Sequence, residues 1–243
     1  MDEVRRAARE QIREGADFLK VMTSGGLGER HGIEDTYHYT LGELEAAVEE
    51  AQKRGLRVAA HAVGAPAVKN AIRAGARTIE HGSYADDEGL DLMAERDVVY
   101  VPTLAVMAAY GPGLKNPAAE RALEATRIRV QGARTRGIRI AAGSDFGGVP
   151  LSRLGTNNFA EVEQLVIAGL TPAEVIVSLT KHGAAALARE NDIGTVEPGK
   201  LADLVATPAD PLHDIGALRA IDVVIKGGSI VADRRPAAWA QRP

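Results

Sequence analysis

Four glycines in this 243-residue chain each follow a helical pattern and precede a short apolar run. A glycine placed just after a helix adopts the left-handed conformation that ends it, so each one marks a passage from helix to strand. The near-continuous apolar character of the runs is typical of strands covered on both faces. The glycines are Gly15, Gly55, Gly75 and Gly137, the runs after them are 17–22, 56–61, 77–81 and 138–143, and 98–102 is a fifth run.

Helix start signals lie between these runs. Thr40 with Glu43, and Thr171 with Glu174, have the spacing of a capping box, and Asn116 precedes Pro117 at another predicted helix start. Strands that alternate with helices predict right-handed crossovers and a parallel sheet, which defines the α/β class. After about residue 191 the pattern changes to short strands at 202–206 and 221–225 and a hairpin turn at 226–229. We therefore expect one unit over 1–190 and a small β element over 191–243.

Composition excludes several classes of protein. Hydrophobic residues make up 45% of the chain and charged residues 26%, which is an ordinary globular balance. The net charge of −4 argues against a nucleic-acid partner. No apolar run approaches the ~20 residues of a membrane span, and no secretory leader is visible, so the sequence favours a cytoplasmic protein. Cysteine is absent, so any metal would be bound by nitrogen or oxygen.

Polar residues lie at or near the carboxyl ends of four of the five apolar runs: Lys20, His61, His81 and Asp145. In parallel α/β folds these ends meet on one face, where functional side chains gather. Two imidazoles and a carboxylate are ligands that catalytic zinc accepts while it keeps a position for water. A lysine beside a cation must be neutral, and a neutral amine can take up carbon dioxide. We therefore interpret Lys20 as a possible carbamate ligand in a metal site.

Other interpretations of the same residues stay open. Lys20 could extend its amine to solvent, the two histidines could be hydrogen-bonded core residues, and Asp145 could cap a turn or helix. The glycines of 25–28 could cradle a phosphate in a binding module without catalysis, although no Gly-Lys-Ser/Thr follows them. No nucleophile elbow surrounds Ser24 or Ser144, which disfavours a serine hydrolase.

The ordered motifs closely resemble the amidohydrolase superfamily, and within it the imidazolonepropionase-like and metal-dependent Xaa-Pro dipeptidase (prolidase-type) group. The motifs are FLKV at 18–21, HAVG at 61–64, EHG at 80–82, SD at 144–145 and EPGKLADL at 197–204. The resemblance implies a TIM (β/α)8-type barrel with one or two divalent metals, zinc above all, and a β-sandwich segment. It implies that Lys20 is the carbamylated bridging ligand, that His61 and His81 bind one metal, and that Asp145 is both a ligand and the proton shuttle.

The implied activity is hydrolysis of a C–N bond in an amide, cyclic amide or dipeptide by metal-activated water. The chain departs from the family pattern in one respect, because no His-x-His pair occurs in its 243 residues. Five strands are visible where about eight close such a barrel. We therefore expect about the last five β/α units of a barrel, without its N-terminal part. The alternative is a catalytically incomplete fragment or assembly subunit, and a homo-oligomer is possible in either case.

Overall fold

A parallel sheet forms the centre of the molecule. The computed structural model describes residues 1–26, 35–110, 116–146 and 154–235. Its four-stranded sheet has the order β1-β2-β3-β4, and every neighbouring pair is parallel. The strands are β1 (Leu19–Met22), β2 (Val58–Gly64), β3 (Thr78–Tyr84) and β4 (Val99–Val101). The predicted α/β class with a parallel sheet is confirmed, whereas closure into a barrel stays a prediction.

Helices connect and cover these strands. In the described residues they are α1 (Asp2–Arg13), α2 (Leu41–Gln52), α3 (Ala65–Ala74), α4 (Asp87–Glu95), α5 (Leu104–Tyr110), α6 (Pro117–Thr135), α7 (Leu154–Ile167), α8 (Pro172–Leu179) and α9 (Lys181–Ala186). The capping boxes at Thr40 and Thr171 are both present, and the Asn116 side chain accepts hydrogen bonds from the first turn of α6. Gly75 ends α3 with a φ of 107°, as its place in the sequence predicts.

The apolar run at 138–143 differs from its prediction. Residues 138–143 make only one parallel bridge to the sheet, between Ile140 and Tyr100, and form no extended strand. The physical reason lies one step further along the chain, where the amide of Ala142 donates to the carbonyl of Ser178 rather than to β4. The ladder therefore stops before the segment that contains Asp145.

The larger core cluster lies between the sheet and α3, α4, α6 and α7. Ile79 of β3, Leu90 of α4, Val130 of α6 and Leu165 of α7 are all fully buried in it. A smaller cluster packs α1 and α2 against β1, around Leu19 and Leu44. Because the helices cover the sheet in this way, its carboxyl ends are held in fixed positions.

A second, antiparallel sheet follows the helices. It has the order β5-β6-β7, from β5 (Leu204–Ala206), β6 (Val223–Lys226) and β7 (Ser229–Asp233). Gly227 and Gly228 form the predicted turn between the last two strands, both with positive φ. The role of this sheet in a composite sandwich stays a prediction. Of the helices that the structure describes, none has the length and apolar character needed to cross a membrane.

Candidate metal centre

His61 of β2 and His81 of β3 lie side by side in the parallel sheet. Their ring centroids are 4.4 Å apart and the ring planes are inclined by 67°. Both residues are buried, at 8% and 7% exposed. Two imidazoles from neighbouring strands therefore lie in contact, although three residues of each strand follow its histidine, so neither stands at the strand end that the sequence predicts.

A hydrogen bond fixes each imidazole ring. His61 Nε2 is 3.0 Å from the carbonyl of Gly25, and His81 Nδ1 is 2.7 Å from Thr103 Oγ1. A carbonyl can only accept, so Nε2 of His61 carries the proton and its Nδ1 keeps the lone pair. Within the described ranges, His61 Nδ1 and His81 Nε2 have no hydrogen-bond partner. His61 Nδ1 is therefore available to a metal ion, and His81 Nε2 is available when its Nδ1–H donates to the Thr103 hydroxyl.

Burial keeps both imidazoles neutral. Desolvation lowers the pKa of His61, and the Lys20 ammonium acts in the same direction, while the Gly25 carbonyl and the carboxylates of Asp145 and Glu80 oppose the shift. Desolvation, with smaller contributions from His61 and Lys20, lowers the pKa of His81 to about 3. Neutral imidazole is the form that binds a metal ion, so the pocket prepares both rings for ligation.

The backbone of His81 is left-handed, with a φ of 71°. Glu80 pairs in register with His61. Regular alternation along β3 would therefore place Glu80 on the same face of the sheet as His61 and His81 on the opposite face. The left-handed residue breaks this alternation, and the His81 ring lies against His61. The Tyr100 hydroxyl donates to the His81 carbonyl at 2.8 Å and supports this conformation.

Lys20 lies within β1, two residues before the position that pairs with His61, rather than at the strand end. Its ammonium is 3.1 Å from Oε2 of Glu80. The other oxygen of that carboxylate accepts from the Thr78 hydroxyl at 2.5 Å. The Lys20 contact lacks the angles of a hydrogen bond, so Glu80 Oε2 is buried without a hydrogen-bond donor among the described residues. Lys20 therefore stands beside the imidazole pair as one half of an ion pair.

Asp145 follows the single bridge at Ile140 and is exposed. Its backbone is left-handed, with a φ of 50°. The neighbouring Ser144 donates its hydroxyl to Oδ1 of Asn158 on α7 at 2.8 Å. Since the Asp145 carboxylate raises the pKa of His61, it lies within electrostatic reach of the imidazole pair.

The donor set fits a divalent metal in part. His61 and His81 offer two neutral nitrogens from fixed rings, which is the type of ligand that zinc takes. No group of three or more His, Cys, Asp or Glu side chains arranged to hold a metal occurs in the described part of the chain. A complete set of ligands would therefore need an oxygen from Lys20 in carbamate form, or a movement of Asp145.

Sequence reasoning missed three residues that support this pair: Glu80, Tyr100 and Thr103. Thr103 could have been found, because it is the first polar residue after the fifth apolar run and so obeys the same strand-end rule. Tyr100 carries no such signal, since a tyrosine within an apolar run is predicted to be an ordinary core residue. The loop of 25–28 is described only through Gly26, so a phosphate interpretation of that loop lies partly outside the described residues.

Comparison with known proteins places the chain in a family. The sequence profile described as "Amidohydrolase family" matches residues 1–231. The chain therefore belongs to the amidohydrolase family.

The relatives are longer than this chain. The sequence is 35% identical to ochratoxinase from Aspergillus niger over 254 aligned positions, which cover 99% of this chain and 52% of that protein. It is 28% identical to imidazolonepropionase from Alkaliphilus metalliredigens, over 81% of this chain and 45% of that protein. The chain thus spans about half the length of the curated relatives it matches.

Solved structures agree with the sequence relatives. A Xaa-Pro dipeptidase with methionine bound in its active site superposes with a TM-score of 0.83 at 34% identity, over 94% of this chain and 57% of that one. The Aspergillus niger ochratoxinase structure gives a TM-score of 0.85 at 32% identity, over 98% of this chain and 56% of that one. The chain has the fold of the corresponding part of these proteins.

Proposed function

We propose that this chain carries part of a metal-dependent amidohydrolase that cleaves the C–N bond of an amide, cyclic amide or dipeptide. The observation that carries the proposal is the pair of buried, neutral imidazoles, each fixed by a hydrogen bond at one ring nitrogen. Membership of the amidohydrolase family and the likeness to ochratoxinase and a Xaa-Pro dipeptidase support the reaction class.

The ligands of the proposed centre are His61 through Nδ1, His81 through Nε2, and Lys20. Lys20 would join as a carbamate, in which its neutral amine forms a bond to carbon dioxide and a proton goes to solvent. In the structure Lys20 pairs with Glu80, so this reaction requires the ion pair to open. Zinc is the metal we propose, because nitrogen ligands with one carboxylate-type ligand match its preferences.

A divalent metal bound here would polarise the scissile carbonyl. It would also lower the pKa of a water molecule, which becomes a stronger nucleophile as it loses a proton. Asp145 is the group we assign to proton transfer. Its exposed carboxylate would take the proton of the attacking water and deliver it to the leaving nitrogen. Asp145 lies outside the strands of the parallel sheet, and its φ is 50°.

Zinc binding tests the proposal. We expect the unaltered chain to take up zinc with about one-to-one stoichiometry or more, and the double variant His61→Ala/His81→Ala to lose it, measured by metal analysis after dialysis. His213→Ala is the matched control, because His213 is exposed and lies in the C-terminal segment. Retention of stoichiometric zinc by the double variant would contradict the assignment. Bicarbonate should raise zinc loading of the unaltered chain and have no effect on Lys20→Ala.

The second candidate is a catalytically incomplete fragment or assembly subunit. The absence of a His-x-His pair from the 243 residues favours it. The two candidates differ in what the chain does alone, so turnover of dipeptide and amide substrates should be measured together with the oligomeric state by light scattering. A stable monomer that hydrolyses such a substrate contradicts the second candidate.

A further inference from the structure

Glu161 of α7 is a buried carboxylate, with only 1% of its surface exposed. It pairs with none of the cations in the described residues. Its two oxygens accept hydrogen bonds from consecutive backbone amides instead, Oε1 from Leu104 at 3.2 Å and Oε2 from Ala105 at 2.7 Å. Burying a carboxyl group is costly unless hydrogen bonds compensate, so the position of Glu161 requires a reason.

The two amides are the first of α5, and Thr103 comes directly before them. Thr103 has a φ of 52°, a conformation that β-branched residues rarely adopt and that costs energy of its own. Its hydroxyl lies 2.7 Å from Nδ1 of His81. A strained residue keeps such a conformation only when its surroundings hold it, and here the next two peptide units are held by one carboxylate.

We propose that Glu161 is a positioning residue for His81: by holding the peptides of Leu104 and Ala105 it places Thr103 so that its hydroxyl fixes the His81 imidazole. The inference rests on the proposed metal centre for its purpose, since the fixed His81 ring is one of the two proposed imidazole ligands and lies against His61. Glu161 itself touches neither imidazole. It acts from α7 through the loop between β4 and α5.

The chemistry of the contact favours a carboxylate over an amide. Both acceptor oxygens of Glu161 are used, one for each peptide N–H. A glutamine has one acceptor oxygen and one amino group, and the amino group would face a second donor. Glu161→Gln keeps the size of the side chain but must release one of the two peptides. Burial raises the pKa of Glu161 to about 8 while the two amide donors oppose that shift, so Glu161→Gln is compared with the unaltered chain above pH 8, where Glu161 is the carboxylate that accepts from both amides.

The test observes the His81 ring in the metal-free protein. Long-range proton–nitrogen NMR spectra of the histidine side chains distinguish the Nδ1-protonated from the Nε2-protonated form. In the unaltered chain we expect His81 to have one tautomer, with the proton on Nδ1 facing Thr103. Thr103→Val removes the hydroxyl at equal size and should give a mixture of tautomers. Thr103→Ser keeps the hydroxyl and should restore the single form.

Glu161→Gln is the decisive variant. We expect it to give the same tautomer mixture as Thr103→Val, and the double variant to show no further change, because both substitutions act on one contact. Glu50→Gln is the matched control. Glu50 is also a buried carboxylate, but it pairs with Arg5 and Arg9 of α1, away from the imidazoles, and should leave the His81 signals unchanged.

A His81 signal in Glu161→Gln identical to that of the unaltered chain would overturn the proposal, as would additive effects in the double variant. Should Glu161→Gln fail to fold, Glu161→Asp replaces it, because its carboxylate is one methylene too short to reach both amides. A tautomer mixture in folded Glu161→Asp supports the proposal, and an unchanged single tautomer overturns it.

A zinc titration separates this proposal from the proposed function. We expect Glu161→Gln and Thr103→Val each to weaken zinc binding by roughly ten- to a hundredfold, as is typical when a partner behind a ligand is lost. If the unaltered chain binds no zinc, the proposed function fails, and the NMR result on the metal-free protein still decides the role of Glu161. If zinc binds and Glu161→Gln leaves both its affinity and the His81 tautomer unchanged, only the positioning role fails.

Discussion

At the scale of the residue, burial of an imidazole links the candidate site to stability. His81 has its pKa lowered to about 3 in the folded chain, against about 6.5 for an exposed histidine. Between these values the unfolded chain binds a proton that the folded chain does not. Stability is therefore highest above pH 6.5 and falls as the pH is lowered toward 3.

We expect the free energy of unfolding of the metal-free protein to decline over this window by up to about 1.4 kcal/mol per pH unit for the His81 proton. Urea unfolding at successive pH values measures it. His81→Asn should flatten the dependence between pH 6 and pH 4, whereas His213→Asn, at an exposed position, should not. Equal slopes in the unaltered chain and His81→Asn would contradict the expectation.

The site residues differ in how well sequence could identify them. His61 and His81 end apolar runs, so the sequence marked them, but their rings meet because β2 and β3 are neighbours and the left-handed His81 departs from regular alternation. Lys20 could not be placed as well, since its amine could extend to solvent or turn along the sheet toward Glu80, and the apolar pattern of β1 does not decide between the two. Glu161 was beyond prediction, because a glutamate in an amphipathic helix gives no sign that its partners are two peptide amides 56 and 57 positions away.

At the scale of the element, β3 and β4 approach closely at Gly82. Its φ is 56°, and a Cβ atom built there would lie 2.7 Å from Cε2 of Tyr100. Tyr100 cannot withdraw, because it is fully buried and its hydroxyl bonds to the His81 carbonyl. Glycine is therefore required at this position by both backbone conformation and space.

We predict that Gly82→Ala destabilises the chain substantially more than Gly55→Ala. Gly55 also has a positive φ, of 70°, but open space surrounds its missing Cβ. The control should lose about 1–2 kcal/mol from backbone strain alone, and Gly82→Ala roughly 1–3 kcal/mol more from overpacking. Urea denaturation of both variants measures the difference, and equal losses would show that Tyr100 yields.

Among the elements, sequence predicted helices better than strand ends. The boundaries at Thr40, Asn116 and Thr171 follow from side chains that cap the adjacent turn, which is a local interaction. The run at 138–143 does not form the predicted strand for a non-local reason, which is the hydrogen bond from the Ala142 amide to the carbonyl of Ser178 in α8. Apolar character shows that a segment is buried, and partners distant in sequence decide which ladder it joins.

At the scale of the whole molecule, the two sheets differ in how completely they are covered. Strands β2 and β3 lie at the centre of the parallel sheet and contain fully buried residues such as Ala60 and Ile79. In the antiparallel sheet only Val223 is buried, and Val205, Ile230 and Val231 are each more than half exposed. Stability is thus concentrated in the parallel part.

We predict that backbone amides of β2 and β3 exchange with solvent deuterium far more slowly than those of β5 to β7. Slow exchange requires opening of the buried core, whereas a sheet with few buried contacts opens locally. Exchange followed by mass spectrometry of peptic peptides measures both regions in one sample. Equal protection of the two sheets would mean that they unfold as one unit.

The division at residue 190 and the cytoplasmic location both stay predictions.

The left-handed backbones at His81, Thr103 and Asp145 set stability against chemistry at the same three positions. Asparagine or glycine would relax the strain there and give a sturdier protein, but would remove the imidazole, the hydroxyl or the carboxylate. Selection for robustness alone, in nature or in the laboratory, would therefore favour the loss of these three functional groups.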